Sequence, residues 1–317
     1  MSSTPTVAVI VPVFNGARYI DQALGSITTQ GRMPDEVIVV DDCSTDGSAD
    51  VADRWADVLP LRVLRLAENS GCWAARAMAI EATDAQLIAL LDVDDVWLPD
   101  HLAVLLETYA ARPGLVTADA LKWIEGSALS MRGWDETRPL PPVDHQMTQL
   151  LLGNYVFIGS LFERELCLSV GSFRCWPQGC EDWDLWLRMA AVGVPISRAP
   201  VPTALYRLRG DSMSANDVLL DVEIDVLETF KTEHRDDRWL RAADRGIARR
   251  RARQHLRASL EAAAAGRRGE ARRRALHALP GGSRDVRSAA AAVAVWPKKA
   301  VAVHDSLRRD PQRRVRR

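Results

Sequence analysis

The chain has 317 residues, 41 Lys+Arg against 42 Asp+Glu for a formal net charge of −1, and an apolar content of 47%. That length holds one large domain plus an appendage, and that apolar share builds a packed core, so an intrinsically disordered chain and a small disulfide-stapled scaffold are excluded. The near-neutral balance hides an asymmetry, because residues 231–317 carry 25 Lys+Arg against 9 Asp+Glu and residues 1–230 carry 16 against 33.

Val7 to Val13 (VAVIVPV) is a continuous apolar run and predicts a buried strand. Asn15-Gly16 then turns the chain, and residues 17–30 carry Ile20, Ala23, Leu24 and Ile27 at helical spacing. Val37 to Val40 predict a second strand, which ends in Asp41-Asp42. Ser44 is expected to cap the next helix and Asp46 to sit near its first turn, where negative charge is favourable. A carboxylate at Asp41 or Asp42 can accept a hydrogen bond from a ring N–H of uracil, thymine or guanine. Leu61 to Leu66 predict a third strand, residues 69–71 a loop, and Trp73 to Ala82 a helix with Arg76 near its start. Arg76 reads either as a surface arginine or as a partner for phosphate or base, since its fork matches phosphate geometry.

The next apolar run, Leu87 to Leu91, stops in three carboxylates, Asp92, Asp94 and Asp95. One reading is a solvated acidic turn before a helix starting near Pro99. The other places them at the carboxyl end of a buried parallel strand, where open α/β sheets bind ligands. Three adjacent negative charges repel unless a cation joins them. Hard oxygen ligands suit Mg²⁺ or Mn²⁺, which one or two carboxylates hold together with substrate phosphates.

Residues 121–157 are the least regular stretch of the chain. Beyond them Glu181-Asp182 precede a dense apolar helix pattern of Trp183, Leu185, Trp186, Leu187, Met189 and Ala190. The acidic pair suits a helix N-terminus, and Asp182 is also the candidate to take a proton from a hydroxyl. Asp184 is a rival base, but its spacing to Arg188 predicts a modest surface pair. Trp176, Trp183 and Trp186 read as core packing for at least two of the three, with an indole face left for a ligand.

From residue 217 the pattern predicts helices at 218–232, 237–264, 269–279 and 285–303, the third with a stripe of Ala271, Ala275, Leu276 and Leu279. The closing RRDPQRRVRR predicts disorder. No apolar stretch reaches transmembrane length, and Ala289 to Val303 contains Pro297, Lys298 and Lys299. An immediate strand at the N-terminus predicts no signal peptide. Five cysteines without C-x-x-C spacing predict reduced thiols and a cytoplasmic protein, with Cys175 and Cys180 flanking the acidic pair's loop. The basic C-terminal region is expected on an anionic membrane surface, with docking on the acidic region or a neighbouring subunit as alternatives. Nucleic acid is not expected, because no aromatic residues interleave the charges.

Taken together, VAVIVPVFNGARYIDQALGSI, EVIVVDDCSTDGS, ENSGCWAARAMAI, IALLDVDDVWLPDHL and GSFRCWPQGCEDWDLWLRMAAVG, closed by YRLRGDSMS, strongly resemble family 2 glycosyltransferases over about residues 6–214. The resemblance implies an α/β GT-A sandwich, a mostly parallel central sheet with flanking helices, followed by a basic α-helical appendage. It divides the chain into a catalytic domain at 1–216 and a helical region at 217–317. Within the catalytic domain, residues 1–120 are expected to bind the nucleotide sugar and residues 121–216 the acceptor. The resemblance implies a non-processive, inverting, Mn²⁺- or Mg²⁺-dependent transfer from a UDP-, TDP- or GDP-sugar to a glycan or lipid-linked acceptor. The setting is expected to be cell-envelope polysaccharide or glycoconjugate biosynthesis on the cytoplasmic side, with the basic C-terminal region, by its charge, expected to make the chain peripheral to the inner membrane face.

By residue, the resemblance implies that Asp42 pairs with the base and that Val11, Pro12 and Phe14 line the base pocket, while Arg76 is counted with the nucleotide on the chemistry of its fork. It implies that Asp94 binds the metal, that Asp92 reaches the ribose or a metal-bound water, and that Asp95 supports them. Asp182 matches the catalytic base, with Glu181 and Trp183 on the acceptor side. Ala77 stands where the family often has Asn, and Arg209 stands in the region where many members have a metal-side His. An arginine cannot ligate a metal but can neutralise a diphosphate. No Gln-x-x-Arg-Trp motif of processive synthases is present in the sequence. Two alternatives are a catalytically silent sugar-nucleotide-binding scaffold, for which Asp182 would be superfluous, and a nucleotidyltransferase using the same carboxylates.

Overall fold

The computed structural model describes residues 4–125, 129–133, 139–209 and 219–297. The chain divides into two compact units, one of Met1–Met147 with Asn154–Ala215 and one of Thr148–Gly153 with Asn216–Arg317. The second unit therefore takes in six residues that the sequence pattern leaves with the first.

The first unit opens with strand β1 (Val7–Val13), whose seven residues are all buried, as a continuous apolar run requires. Helix α1 (Ile20–Thr28) buries Ile20, Ala23, Leu24 and Ile27. It starts three residues later than the periodicity predicts, because the amides of Tyr19 and Ile20 both turn back onto the Gly16 carbonyl. Strand β2 (Glu36–Asp41) leads to helix α2 (Ser48–Asp53), which starts after Gly47 in the left-handed region. Ser44 and Asp46 consequently lie outside that helix. Ser44 Oγ accepts from the Asn15 amide at 2.9 Å and Asp46 from the Ala17 and Ser48 amides at 3.0 Å each, so both tie the β2–α2 loop to the β1–α1 loop.

Strand β3 (Leu61–Arg65), helix α3 (Cys72–Glu81), strand β4 (Leu87–Leu90), the short strand β5 (Val96–Trp97) and helix α4 (His101–Ala111) follow. Then come β6 (Leu115–Ile124), β7 (Leu129–Gly133), α5 (Val143–Leu152), β8 (Ser160–Glu163), α6 (Arg164–Ser169), α7 (Glu181–Ala191) and β9 (Ile196–Leu208). One nine-stranded sheet runs β3-β2-β1-β4-β8-β6-β9-β5, with β7 on β6. The block β3-β2-β1-β4 is parallel, with Val13 opposite Asp41 and Ile10 opposite Leu90. From β1 the chain builds outward through β2 and β3, then returns to β4 on the other side. That reversal makes a crevice at the carboxyl ends of β1 and β4, the position where such sheets bind ligands. Beyond β4 the sheet becomes mixed: β8 is antiparallel to β4 and β6, and β9 is parallel to β6 but antiparallel to β5.

The second unit contains α8 (Leu219–Glu233), α9 (Asp237–Ala264), α10 (Arg268–Ala278) and α11 (Arg284–Val295). Asp236 caps α9 by accepting from the amides of Arg238 and Trp239 at 2.8 and 3.2 Å. The core shared by α9, α10 and α11 is built of Ala262, Ala263, Ala271, Ala275, Ala278, Ala290 and Val293. The α10 stripe is therefore Ala271, Ala275 and Ala278. Leu276, which the sequence pattern places in that stripe, is 56% exposed, because it lies a further 100° around the helix from Ala275. Residues 298–317, including the end of the helix expected to reach 303 and the tail expected to be disordered, lie outside the described residues. Among the described residues no helix is long and apolar enough to cross a membrane.

Candidate active site

The crevice is lined from four directions. From β2, the buried Asp42 receives the Ser70 amide on Oδ1 at 2.7 Å and the Gly71 amide on Oδ2 at 2.8 Å. Both carboxylate oxygens thus anchor the loop before α3 and keep lone pairs for a further donor. Its neighbour Asp41 accepts from the Ser44 amide through Oδ2 at 3.2 Å, while its buried Oδ1 has no hydrogen-bond partner among the described residues. From β1, Val11 and Pro12 are buried, whereas Phe14 is half exposed at the rim.

From the end of β4 come the three carboxylates. Asp92 and Asp94 are partly exposed and Asp95 is buried. Asp95 Oδ1 accepts from the Arg207 amide at 3.0 Å, and Arg207 Nε donates to the Asp94 carbonyl at 2.7 Å. Arg209 Nε lies 3.2 Å from Asp94 Oδ2. Burial, reinforced by Asp92, holds the Asp94 carboxyl above its usual range against the pull of Arg209. Burial and both neighbouring aspartates push Asp95 well above it. This is the surplus of negative charge the sequence leads one to expect, and the structure offsets it with Arg207 and Arg209. Sequence reading does not single out Arg207 or the Tyr19 ring beneath it. The Arg207 guanidinium carbon lies 4.0 Å from the Trp123 centroid and 5.0 Å from that of Tyr19, with Arg209 at 5.1 Å from the latter. The Arg-x-Arg spacing on a strand carries the signal, since residues two apart share one face.

From α7 come Glu181 and Asp182. The buried Arg76 binds Asp92 Oδ1 through Nη2 at 2.6 Å and Glu181 Oε1 through Nη1 at 2.5 Å. Arg76 is thus neither a surface arginine nor an open phosphate clamp. It is a bridge between the carboxyl end of β4 and the start of α7, packed over Phe173 at 5.5 Å. Asp182 Oδ2 accepts from Asn154 Nδ2 at 3.2 Å and Oδ1 from the Trp183 amide at 2.7 Å. Burial and the adjacent Glu181 push the Asp182 carboxyl up to about 7, with Arg76 pulling the other way.

One expectation on α7 changes, and that of core packing for at least two of the tryptophans holds. Asp184 and Arg188 form a buried pair, with Nε and Nη2 at 3.0 and 2.8 Å, in place of a surface one. Arg188 also binds the carbonyls of Val170 and Ser172, so Asp184 is committed to holding the preceding loop. Trp183 and Trp186 are both fully buried, Trp186 edge-on to Phe162 at 5.5 Å. They fix α7 in place and offer no indole face. Trp176 remains partly exposed. Of residues 121–157, those at 126–128 and 134–138 lie outside the described residues.

Among the described residues no three His, Cys, Asp or Glu side chains converge as a complete metal cage. Asp92 and Asp94 supply hard carboxylate oxygens of the kind a Mg²⁺-type ion takes, one or two at a time, with water and phosphate completing its shell. The five cysteines form no disulfide.

Residues 8–170 match the family model described as glycosyl transferase family 2. TuaG of Bacillus subtilis, named for teichuronic acid biosynthesis, is 39% identical over 104 residues, 32% of this chain and 41% of that protein. The chain thus spans well under two thirds of that relative's length. The amylovoran biosynthesis glycosyltransferase AmsE of Erwinia amylovora is 27% identical over 66% of this chain and 78% of its own. Among solved structures, Staphylococcus aureus TarS 1-349 in complex with UDP-GlcNAc aligns over 96% of this chain and 91% of its own, with a TM-score of 0.65 at 17% identity. The mannosyltransferase PcManGT from Pyrobaculum calidifontis, in complex with GDP-Man and Mn²⁺, aligns over 98% and 89% with a TM-score of 0.62 at 20% identity. Both share the GT-A-type fold.

Proposed function

The chain belongs to glycosyl transferase family 2, and from that membership we propose that it transfers a sugar from a nucleoside diphosphate to an acceptor hydroxyl, with inversion. The observation that carries this reading is the Arg76 bridge. One guanidinium joins Asp92 at the nucleotide crevice to Glu181, the residue beside Asp182. A donor-side carboxylate and a candidate base therefore stand across a single side chain from each other.

In this reading Asp42 accepts a ring N–H of the base beside Pro12 and Phe14. Asp94, supported by Asp92 and Asp95, holds a Mn²⁺ or Mg²⁺ ion, which when bound offsets charge on the leaving diphosphate. Arg209 shares that task from β9. Asp182 takes the acceptor proton, and its carboxyl near 7 matches the working pH of a general base. A base opposite the leaving group gives one displacement and inversion. Relatives that bear polysaccharide names, and structural neighbours that hold UDP-GlcNAc and GDP-Man, support a nucleotide-sugar donor and a polysaccharide or glycoconjugate acceptor.

The donor half is tested by thermal shift with UDP-, TDP- and GDP-sugars, with and without Mn²⁺. A metal-dependent rise with one nucleotide family, absent in Asp94→Ala, is expected; at a hundredfold excess over Kd it corresponds to about 2.7 kcal/mol. No rise with any nucleotide would overturn the reading. The base is tested by Asp182→Asn, which is expected to lower kcat by about 10²–10⁴-fold while leaving nucleotide affinity nearly unchanged.

A further inference from the structure

The second unit carries a surface that the donor chemistry does not use. Along α10, Arg268, Arg272 and Leu276 fall at four-residue spacing on the exposed face, with Arg273 and His277 beside them. The buried face of the same helix is alanine throughout. Glu270, its acidic residue, is taken by Arg267 at 2.9 Å and Arg274 at 3.8 Å. Among the described residues Arg268, Arg272 and Arg273 make no ion pair, so three cationic heads face solvent.

The apolar side chains at the surface are distributed just as unevenly. Eight large ones stand exposed among the described residues, and three of them, Leu276 at 56%, Val295 at 54% and Trp296 at 61%, lie within residues 276–296. Val295 and Trp296 close α11, which packs on α9 and α10 and exposes Arg284 and Arg287 at its other end. In the sequence Lys298 and Lys299 follow. An apolar residue amid arginines on one helix face, with a tryptophan ending the next helix and lysines next in the chain, is the chemistry of the bilayer interface. There arginine heads meet lipid phosphates, their stems and leucine enter the acyl boundary, and tryptophan sits at headgroup level. A nucleic acid would use the arginines, but aliphatic Leu276 and Val295 gain nothing from a phosphate backbone.

We propose that the exposed face of α10, together with the end of α11, docks this protein on an anionic lipid bilayer. Each arginine near such a surface contributes about a fivefold gain in binding, so the three together contribute on the order of a hundredfold. The attraction weakens with salt, because the Debye length shortens from about 10 Å at 0.1 M to 3 Å at 1 M.

The test is co-sedimentation of the full chain with vesicles of phosphatidylcholine alone and of equimolar phosphatidylcholine and phosphatidylglycerol. Binding to the anionic vesicles only, falling as salt rises, is expected. Arg268→Gln/Arg272→Gln/Arg273→Gln is expected to weaken it on the order of a hundredfold, and Leu276→Ser/Trp296→Ser by at least about tenfold. Both variants change exposed side chains, so their melting temperatures and their response to nucleotide sugars are expected to match the parent. That keeps failure here separate from failure of the donor assignment. Equal binding by the arginine variant, or no sedimentation of the parent, overturns the proposal. So does full binding by the Leu276/Trp296 variant with displacement by a single-stranded oligonucleotide, which would mark a general polyanion surface.

Discussion

Asp182 is held near neutrality by burial and opposing neighbours, and both neighbours can be changed. With its carboxyl at about 7, the acid limb of kcat/KM is expected to have its midpoint near pH 7, since only the ionised form accepts a proton. Glu181 raises that value and Arg76 lowers it. Glu181→Gln is therefore expected to move the limb to lower pH, and Arg76→Gln to higher pH, as pH–rate profiles would reveal. A shift in the same direction for both would rule out the electrostatic account. His101 gives an independent stability signal. It is fully buried, bonded through Nδ1 to Thr203 Oγ1 at 2.9 Å and stacked on Trp97 at 4.2 Å, and burial lowers it from 6.5 to about 3. The unfolded chain then binds a proton that the native chain refuses. Its contribution is complete above pH 6.5 and lost as pH falls toward 3, at up to about 1.4 kcal/mol per unit. Between pH 7 and pH 5 the denaturant midpoint of the parent is expected to move downward relative to that of His101→Gln, which starts from a lower stability but lacks this loss, while the opposing contribution of Asp182 is common to both.

At the scale of elements, α7 shows how a base is mounted. Its apolar face seats Trp183 and Trp186 without exposure, and Trp186→Ala is expected to cost about 3–5 kcal/mol in equilibrium unfolding. In the second unit, Gly246 sits mid-helix in α9, where alanine would ordinarily gain about 1 kcal/mol. A Cβ there would stand 2.3 Å from the Leu151 carbonyl oxygen and 2.9 Å from Leu227 Cδ1. Backbone cannot swing aside, and overpacking costs typically about 1–3 kcal/mol, so Gly246→Ala is expected to destabilise that unit in a thermal melt. Element types were largely legible in the sequence, because continuous apolar runs mark β1, β2 and β4 and a 3.6-residue period marks α1. Pairing was less so. β6 and β9 run parallel although some eighty residues separate them, and no local pattern encodes that. Leu276 was misplaced because in a helix this rich in alanine the apolar period is weak, and three alanines suffice to define the buried side.

For the whole molecule, the acidic residues at the ends of β2 and β4 were readable because a charge that ends a buried strand has few other places to go. The partners of those residues were not. Arg207 reaches Asp94 and Asp95, and the Tyr19 ring packs against Arg207, from distant stretches of chain, and a single sequence carries no record of such proximity. The sign of the charge asymmetry was legible too, whereas the face that presents it required the helices of the second unit to be packed. Arg76, Asp92 and Glu181 come from three remote positions and share one planar fork with both arms engaged. Removing the arginine strands carboxylates of which Glu181 is buried, and breaking a buried pair of this kind costs about 3–5 kcal/mol. Lysine, a single point of charge, does not replace a two-armed contact. The three residues therefore constitute one unit of inheritance: double-mutant cycles among them should be strongly non-additive, and in descendants of this sequence they should be kept or exchanged together, so that a lineage with only one of them altered marks a site whose two walls are no longer joined.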